Sequence, residues 1–382
     1  MARIICISKY PPLEGGIASK TYWLCSALAE KGHAVHVVTD PQDIDAEYCS
    51  PVLDTENSEK NIHIHRPQEI TPWHIPNDPH RDMALLNTAL EVIDRYGADI
   101  IDTGYIIPYG LVGYMASQIT GVPFILRHGG SDIKKFVDAR IWDSLMMKAF
   151  NAAAIVITDE AHMQAFSELS KRVVSIPPYV PDPSFFRPEP LTEKKEKPVL
   201  ALIGKANFYW RHKGWHRVVD IMKYLGNHFN YLIVSQGIGL KDFKKYAEDR
   251  LDCPIRWQEF IHPPEMPQML RSVNGLFALQ QDLPFPVFSN LILEALYCNV
   301  SVITDRHDTI QKFVEHKLHV DAESHKIIVI PENHPNKAAE EICKYFDSCL
   351  PNEIMKPHRE LDYKAYIQKN EDVIGSAITA GS

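Results

Sequence analysis

The sequence predicts an α/β protein made of two Rossmann-like, doubly wound parallel-sheet domains. Three observations lead there. Short apolar runs of strand length alternate with longer segments whose apolar residues recur at helical spacing. The alternation occurs as two series, separated at residues 177–198 by the run PPYVPDPSFFRPEPLTEKKEKP, which holds seven prolines. The length of 382 residues suits two domains, at roughly 100–200 residues each.

In the first series, Arg3–Ser8 is an apolar run suited to a buried parallel strand. A turn follows at Pro11-Pro12-Leu13-Glu14-Gly15-Gly16, then a helix over Ile17–Lys31 that Gly32 stops. Val35–Val38 is a second strand. Residues 41–80 form a long polar connection holding one short strand, Ile62–His65. Then come helix Arg81–Tyr96, strand Ile100–Asp102, helix Tyr109–Ile119, strand Phe124–Arg127, helix Ile133–Asn151, strand Ala154–Thr158, helix Glu160–Leu169 and strand Val173–Ile176.

The second series starts with strand Val199–Ile203, helix Trp215–Leu225, strand Tyr231–Val234, helix Leu240–Arg250 and strand Ile255–Phe260. It continues with helix Pro264–Arg271, strand Gly275–Leu279, helix Asn290–Cys298, and strands Val300–Thr304 and Ile327–Ile330. Lys337–Phe346 and Tyr363–Asn370 read as closing helices. The expected division is 1–187, 188–355, and a tail 356–382 that packs back on the first domain. Ligands of such sheets bind outside the carboxyl ends of the strands, so the cleft that two such domains face is the expected site.

Forty Lys and Arg against forty-nine Asp and Glu give a net charge of −9. That disfavours a protein that coats nucleic acid, which needs a positive surface to displace counterions. No run of 18 or more apolar residues is present, so no membrane-spanning helix is expected. The first residues read as a strand and not as a signal peptide. The seven cysteines are scattered without a C-x-x-C pair, which fits reduced thiols in the cytoplasm.

Two segments can carry chemistry. In DLPFPVFSNLILEALYCNVSVIT, residues 282–304, Ser289 is a good N-cap for a helix opening at Asn290-Leu291. The first turn of that helix offers backbone N–H groups and a positive dipole end to a phosphate. Glu294, one turn in, can accept hydrogen bonds from vicinal hydroxyls such as those of a ribose; it reads equally well as an ordinary helix glutamate. In IGKANFYWRHKGWHRVVDIM, residues 203–222, a loop with Lys205, Arg211 and Lys213 leaves a strand and enters a helix. Those cations can balance a diphosphate, or can form a plain basic surface loop.

The order of these features resembles the retaining GT-B glycosyltransferases of family 4, which use nucleotide-sugar donors. Pro11-Pro12…Gly15-Gly16-Ile17 resembles the family's glycine loop. Arg127-His128-Gly129-Gly130-Ser131-Asp132 resembles its His-Gly-x-Asp region with one residue inserted. Ile176-Pro177-Pro178-Tyr179-Val180…Phe186-Arg187-Pro188 resembles its linker segment. Gly204-Lys205…Lys213-Gly214 resembles its donor loop, and Ser289-Asn290…Glu294-Ala295-Leu296 its Asn…Glu-Ala helix. The match is spread over nearly the whole chain.

The resemblance implies an enzyme of glycan, glycolipid or natural-product biosynthesis. It would be a metal-independent transferase that moves a sugar with retention from a UDP- or GDP-sugar to an acceptor hydroxyl and requires no cofactor. Lys205, Lys213 and Ser289–Leu291 would hold the donor diphosphate, Glu294 the ribose, and Phe260–Ile261 would lie by the base. Gly15 and Gly16 would let backbone approach the diphosphate or the acceptor. His128 would meet the transferred sugar. The catalytic set is therefore His128, Lys213 and Glu294. The location implied is cytoplasmic, with at most peripheral membrane contact.

The chain departs from the family in the donor loop, where Lys205 stands for the usual arginine and the gap to Lys213 is longer, and at the paired glutamates. The family's paired glutamates lie eight positions apart; Glu294 fills the second place and Pro286 stands at the first, with Asp282 nearby. This leaves open the sugar, and with it a second reading: a catalytically silent nucleotide- or glycan-binding protein, or one that couples a cyclitol. Asp43-Ile44-Asp45 has the form of a metal-binding D-x-D without further ligands, and Gly237-Ile238-Gly239 and Asp40 lack the rest of a dinucleotide fingerprint. Acceptor contacts are expected in residues 41–80 and 104–112, with Trp73, His74, Tyr105 and Tyr109 as candidates. Lys134-Lys135 are too few for membrane anchoring.

Overall fold

The computed structural model describes residues 1–41, 46–50, 61–67, 79–129, 143–177, 179–189, 197–279, 289–305, 327–348 and 359–381. The chain divides into two compact units. The first comprises Met1–Ala46, Val52–Val180 and Asp362–Ser382; the second comprises Glu47–Pro51 and Pro181–Leu361.

The first unit is a parallel sheet of seven strands: β1 Arg3–Ile7, β2 Ala34–Val38, β3 Ile62–His65, β4 Ile100–Thr103, β5 Phe124–Arg127, β6 Ile155–Thr158 and β7 Val173–Ser175. Their spatial order is β3-β2-β1-β4-β5-β6-β7. Helices α1 Gly16–Glu30, α2 Pro79–Tyr96, α3 Leu111–Thr120, α4 Asp143–Ala152 and α5 Met163–Ser167 connect them. β1, β4, β5 and β6 are almost wholly buried, as strands covered on both faces must be. Ile5, Ile101 and Leu126 pack with Leu85, Val112 and Phe150 from the helices. Each such side chain contributes about 1.5–3 kcal/mol on burial.

The second unit repeats the scheme with six parallel strands: β8 Val199–Ile203, β9 Asn230–Val234, β10 Ile255–Gln258, β11 Gly275–Phe277, β12 Ser301–Thr304 and β13 Ile327–Val329, in the order β10-β9-β8-β11-β12-β13. Its helices are α6 Trp215–Leu225, α7 Leu240–Glu248, α8 Met266–Arg271, α9 Asn290–Tyr297 and α10 Pro335–Ser348. Leu202, Ile233 and Phe277 meet Trp215, Val219 and Phe243 in its core. In each unit the strand order reverses beside the first strand, at β1/β4 and at β8/β11, and crevices at such reversals take ligands.

Two expectations change. The helix expected over Tyr109–Ile119 begins as a kinked turn, Ile106–Gly110, before α3. Pro108 lacks an N–H and drives Ile107 into extended geometry, φ −124° and ψ 127°. The closing helix expected over Tyr363–Asn370 is α11, Arg359–Gly381. Asn370 does not stop it: fully buried mid-helix, its amide donates to the Tyr366 carbonyl and its oxygen accepts from Arg127.

No helix among the described residues is long and apolar enough to cross a membrane.

Candidate active site

In the second unit, β8 ends at Gly204 and the chain enters the loop that carries Lys205, Arg211 and Lys213. The loop closes on itself: Lys213 Nζ donates to the Lys205 carbonyl oxygen at 2.7 Å. Burial pushes the Lys213 ammonium down to about 8. Among the described residues no carboxylate pairs with Lys213; its ammonium lies 5.6 Å from the centre of the Trp215 ring. Lys205 points its ammonium at the ring of Tyr48, 4.9 Å from the centre. Arg211 is exposed, with its guanidinium stacked on Trp210 at 4.4 Å and Tyr246 at 4.7 Å. Aromatic stacking is thus the contact Arg211 has, while Lys205 and Lys213 share the turn of the loop.

The loop rests on a second one that follows β9. Ala206 N–H donates to the Gln236 carbonyl and Gly239 N–H to the Ala206 carbonyl, both at 2.9 Å. Gly237 sits at φ +122°, and a methyl there would strike the Ala206 carbonyl and the Tyr48 ring. Close backbone approach explains this Gly-x-Gly without any dinucleotide role. The Gln236 side chain also accepts the Phe260 N–H at 2.8 Å, which fixes the buried pair Phe260-Ile261 beyond β10.

Across the strand reversal, α9 opens after β11. Ser289 is its N-cap, and Ser289 Oγ accepts the Leu291 N–H at 3.3 Å. Asn290 and Leu291 are partly exposed in the first turn, and Glu294 is buried one turn in, 4% exposed. β8 and β11 are neighbouring parallel strands, so the loop with the two lysines and the start of α9 both follow strands that end at the same carboxyl edge. Pro286 and Asp282 lie outside the described residues.

In the first unit, Gly15 is the N-cap of α1 with φ 140°, a backbone state that favours glycine, and no side chain caps the helix. Gly16, its first residue, is exposed. His128 follows β5 and is buried, with Nδ1 hydrogen-bonded to Thr158 Oγ1 at 3.3 Å and 4.0 Å from Asp159 Oδ2. Its ring meets His162 edge-on at 4.8 Å and Phe166 at 5.1 Å. His162 Nδ1 lies 2.7 Å from Asp159 Oδ1, and that bond raises the imidazole above its ordinary range against the opposing effect of burial. His128, Asp159 and His162 are a set whose candidate ligand atoms fall within 4.8 Å of one another. Sequence reasoning singled out neither Asp159 nor His162; the signal was an Asp-x-x-His at a strand end, where Asp159 caps the following turn.

The acceptor candidates fare differently. Tyr109 is fully buried and its hydroxyl donates to Asp40, whose carboxylate also takes the Arg81 Nε–H at 2.7 Å. Tyr109 is therefore a core residue and not a sugar-facing one, and Asp40 is committed to this triad. Tyr105 is buried as well. Trp73, His74, Asp43–Asp45, Lys134, Lys135 and Gly130–Asp132 fall outside the described residues.

Two sheets of matching strand order, each with chemistry at the carboxyl edge, define a chain of the GT-B fold. Residues 15–177, within the first unit, match the model of the glycosyl transferase 4-like domain. It is 28% identical over 131 residues to the N-acetyl-alpha-D-glucosaminyl L-malate synthase of Bacillus anthracis, a stretch covering 34% of this chain and about a third, 32%, of that protein's length. Among solved structures, HepE from Anabaena in complex with UDP and glucose is similar over 98% of this chain and 100% of its own, with a TM-score of 0.69 at 15% identity. Sucrose-phosphate synthase from Thermosynechococcus elongatus is similar over 98% and 96%, with a TM-score of 0.66 at 18% identity.

Proposed function

We propose that the chain is a retaining glycosyltransferase that moves a sugar from a nucleoside diphosphate sugar to an acceptor hydroxyl. The observation that carries this is Lys213: a partly buried ammonium without a carboxylate partner among the described residues, held by a carbonyl at the edge where α9 begins. A buried cation is costly unless an anion completes the site, and a diphosphate completes this one.

In this reading Lys205, Lys213 and the first turn of α9 hold the diphosphate, Glu294 accepts the ribose hydroxyls, and the segment Phe260-Ile261 lies by the base. The sugar leaves with oxocarbenium character. The departing phosphate oxygen takes the acceptor's proton, so neither a protein nucleophile nor a metal is required. Fixed donors matter most where charge grows in the transition state, here on the leaving diphosphate. The acceptor site is assigned to the first unit, with His128 as its candidate for a hydrogen bond to a sugar hydroxyl. The HepE complexes with UDP and UDP-glucose favour a uridine donor as the first to test, before GDP. The malate-conjugating relative adds small hydroxy acids to glycans and lipid-linked sugars as acceptors.

A thermal-shift screen of UDP, GDP, ADP and their sugar conjugates tests the reading without an acceptor. A stabilising nucleotide whose effect is lost in Lys213→Ala and Glu294→Ala supports it. Equal shifts in all three proteins, or none in the wild type, reject it. Analysis of the anomeric configuration of the product then tests retention.

A further inference from the structure

We propose that His128, Asp159 and His162 form a binding site for a divalent transition-metal ion of the zinc type, and that the ion ties up His128. The three residues come from rigid places: the end of β5, the end of β6, and the turn that Asp159 caps.

The donor set is two imidazoles and one carboxylate, the composition of three-ligand zinc and iron sites that keep an open position. Ligand bonds of about 2.0–2.1 Å at a tetrahedral angle put two donors about 3.3 Å apart. Here His162 Nδ1 to Asp159 Oδ1 is 2.7 Å and His128 Nδ1 to Asp159 Oδ2 is 4.0 Å. These values lie on either side of the required spacing, and the candidate ligand atoms of all three residues fall within 4.8 Å of one another. The competing account is purely structural: Asp159 caps a turn and pairs with His162. On that account His128 Nδ1 is held by Thr158 Oγ1 at 3.3 Å, a hydrogen bond that an ion would replace. Two nitrogen donors disfavour magnesium and calcium, which take oxygen ligands.

An ion here occupies the imidazole that the proposed transfer reaction uses. The consequence for catalysis rests on that reading; the site itself does not, and its test reads binding alone. The chelator-treated full-length chain is titrated with Co²⁺, followed by visible ligand-field absorption, and with Zn²⁺ in competition. The expected result is a Co²⁺ band displaced by Zn²⁺ and not by Mg²⁺. In His162→Ala and in the shape-preserving Asp159→Asn, affinity should fall about 100-fold or more, beyond the range for outer-shell changes. His65→Ala controls for the other histidines and should keep the band. An unchanged band in both His162→Ala and Asp159→Asn overturns the proposal, as does its absence from the wild type or its loss in His65→Ala. Circular dichroism of each variant separates loss of ligation from loss of fold.

Discussion

Lys213 reaches back eight residues to the carbonyl oxygen of Lys205. The contact satisfies one of three ammonium donors and holds the charge where water is scarce, which is why its pKa falls to about 8. Such a group is expensive in the free protein and available to an incoming anion. Its removal should separate stability from function.

Lys213→Ala is expected to lower turnover by roughly 10²–10³-fold, the scale of one charge-stabilising donor. Lys213→Met, which keeps the stem, should be more stable than wild type at pH 7 by about 1–2 kcal/mol, after allowing for partial exposure and the lost hydrogen bond. The sign follows from linkage. Between about pH 8 and 10.5 the unfolded chain holds this proton and the folded chain does not, so wild-type stability rises with pH and the gap to Lys213→Met closes. Denaturation of both proteins from pH 7 to 10 checks it. Nucleotide affinity of the wild type should weaken above pH 8 as the free protein loses the charge.

Glu294 is tested by changing both partners. Glu294→Ala should weaken UDP or GDP binding about 10–100-fold, the range for a hydrogen bond to a charged group. The 2′,3′-dideoxy form of the same nucleotide should bind both proteins alike. Calorimetric titration of the four combinations measures the coupling, and a dideoxy nucleotide that suffers equally from the substitution rules out the ribose contact.

Arg127 ties the C-terminal helix α11 to the first sheet. Its guanidinium donates to both Asp102 oxygens, at 2.6 and 2.7 Å, and to Asn370 Oδ1 at 2.8 Å. Arg127→Ala strands a buried carboxylate and should cost about 3–5 kcal/mol. Asn370→Ala leaves one guanidinium donor unmet and should cost about 1–3 kcal/mol. Urea denaturation gives both numbers, and a larger loss for Asn370→Ala would reverse the assignment.

An acid-sensitive patch lies on the outer strands of the same sheet. His36 on β2 is stacked between His63, His65 and Tyr96, with Nδ1 3.0 Å from His65 Nε2. Burial, followed by repulsion from His65 and His63, lowers its pKa to about 4. Stability should be level above pH 6.5 and fall as pH drops toward 4, because the unfolded chain takes up the proton first. Phenylalanine at position 36 should flatten that acid limb in melting curves between pH 4.5 and 7.5.

The strands were legible in the sequence because a parallel strand covered on both faces is a plain apolar run; Ile62–His65, Phe124–Arg127 and Val199–Ile203 needed no other information. The donor-edge residues were legible because one loop and one helix start carry them within short stretches of chain. For Tyr109 the sequence leaves both a cleft and a core place open, and distant partners, Asp40 and Arg81, 69 and 28 residues away, decide for the core. Asn370 ends the segment that the sequence marks as helix, yet it sits inside α11, where it bonds the Tyr366 carbonyl and the Arg127 guanidinium, 243 residues earlier. His162 was overlooked for the same reason: its neighbour His128 reaches it only through the pairing of β5 with β6.

The first unit is interrupted in sequence: it is assembled from Met1–Ala46, Val52–Val180 and Asp362–Ser382. During synthesis the ribosome extrudes the whole second unit before the strand bearing Arg127 meets its helical partner. A nascent first unit therefore lacks Asn370 until the second unit has been made. Fragments cut at residue 180 should accordingly behave as incomplete folding units, and a working split of this chain would have to supply α11 in trans.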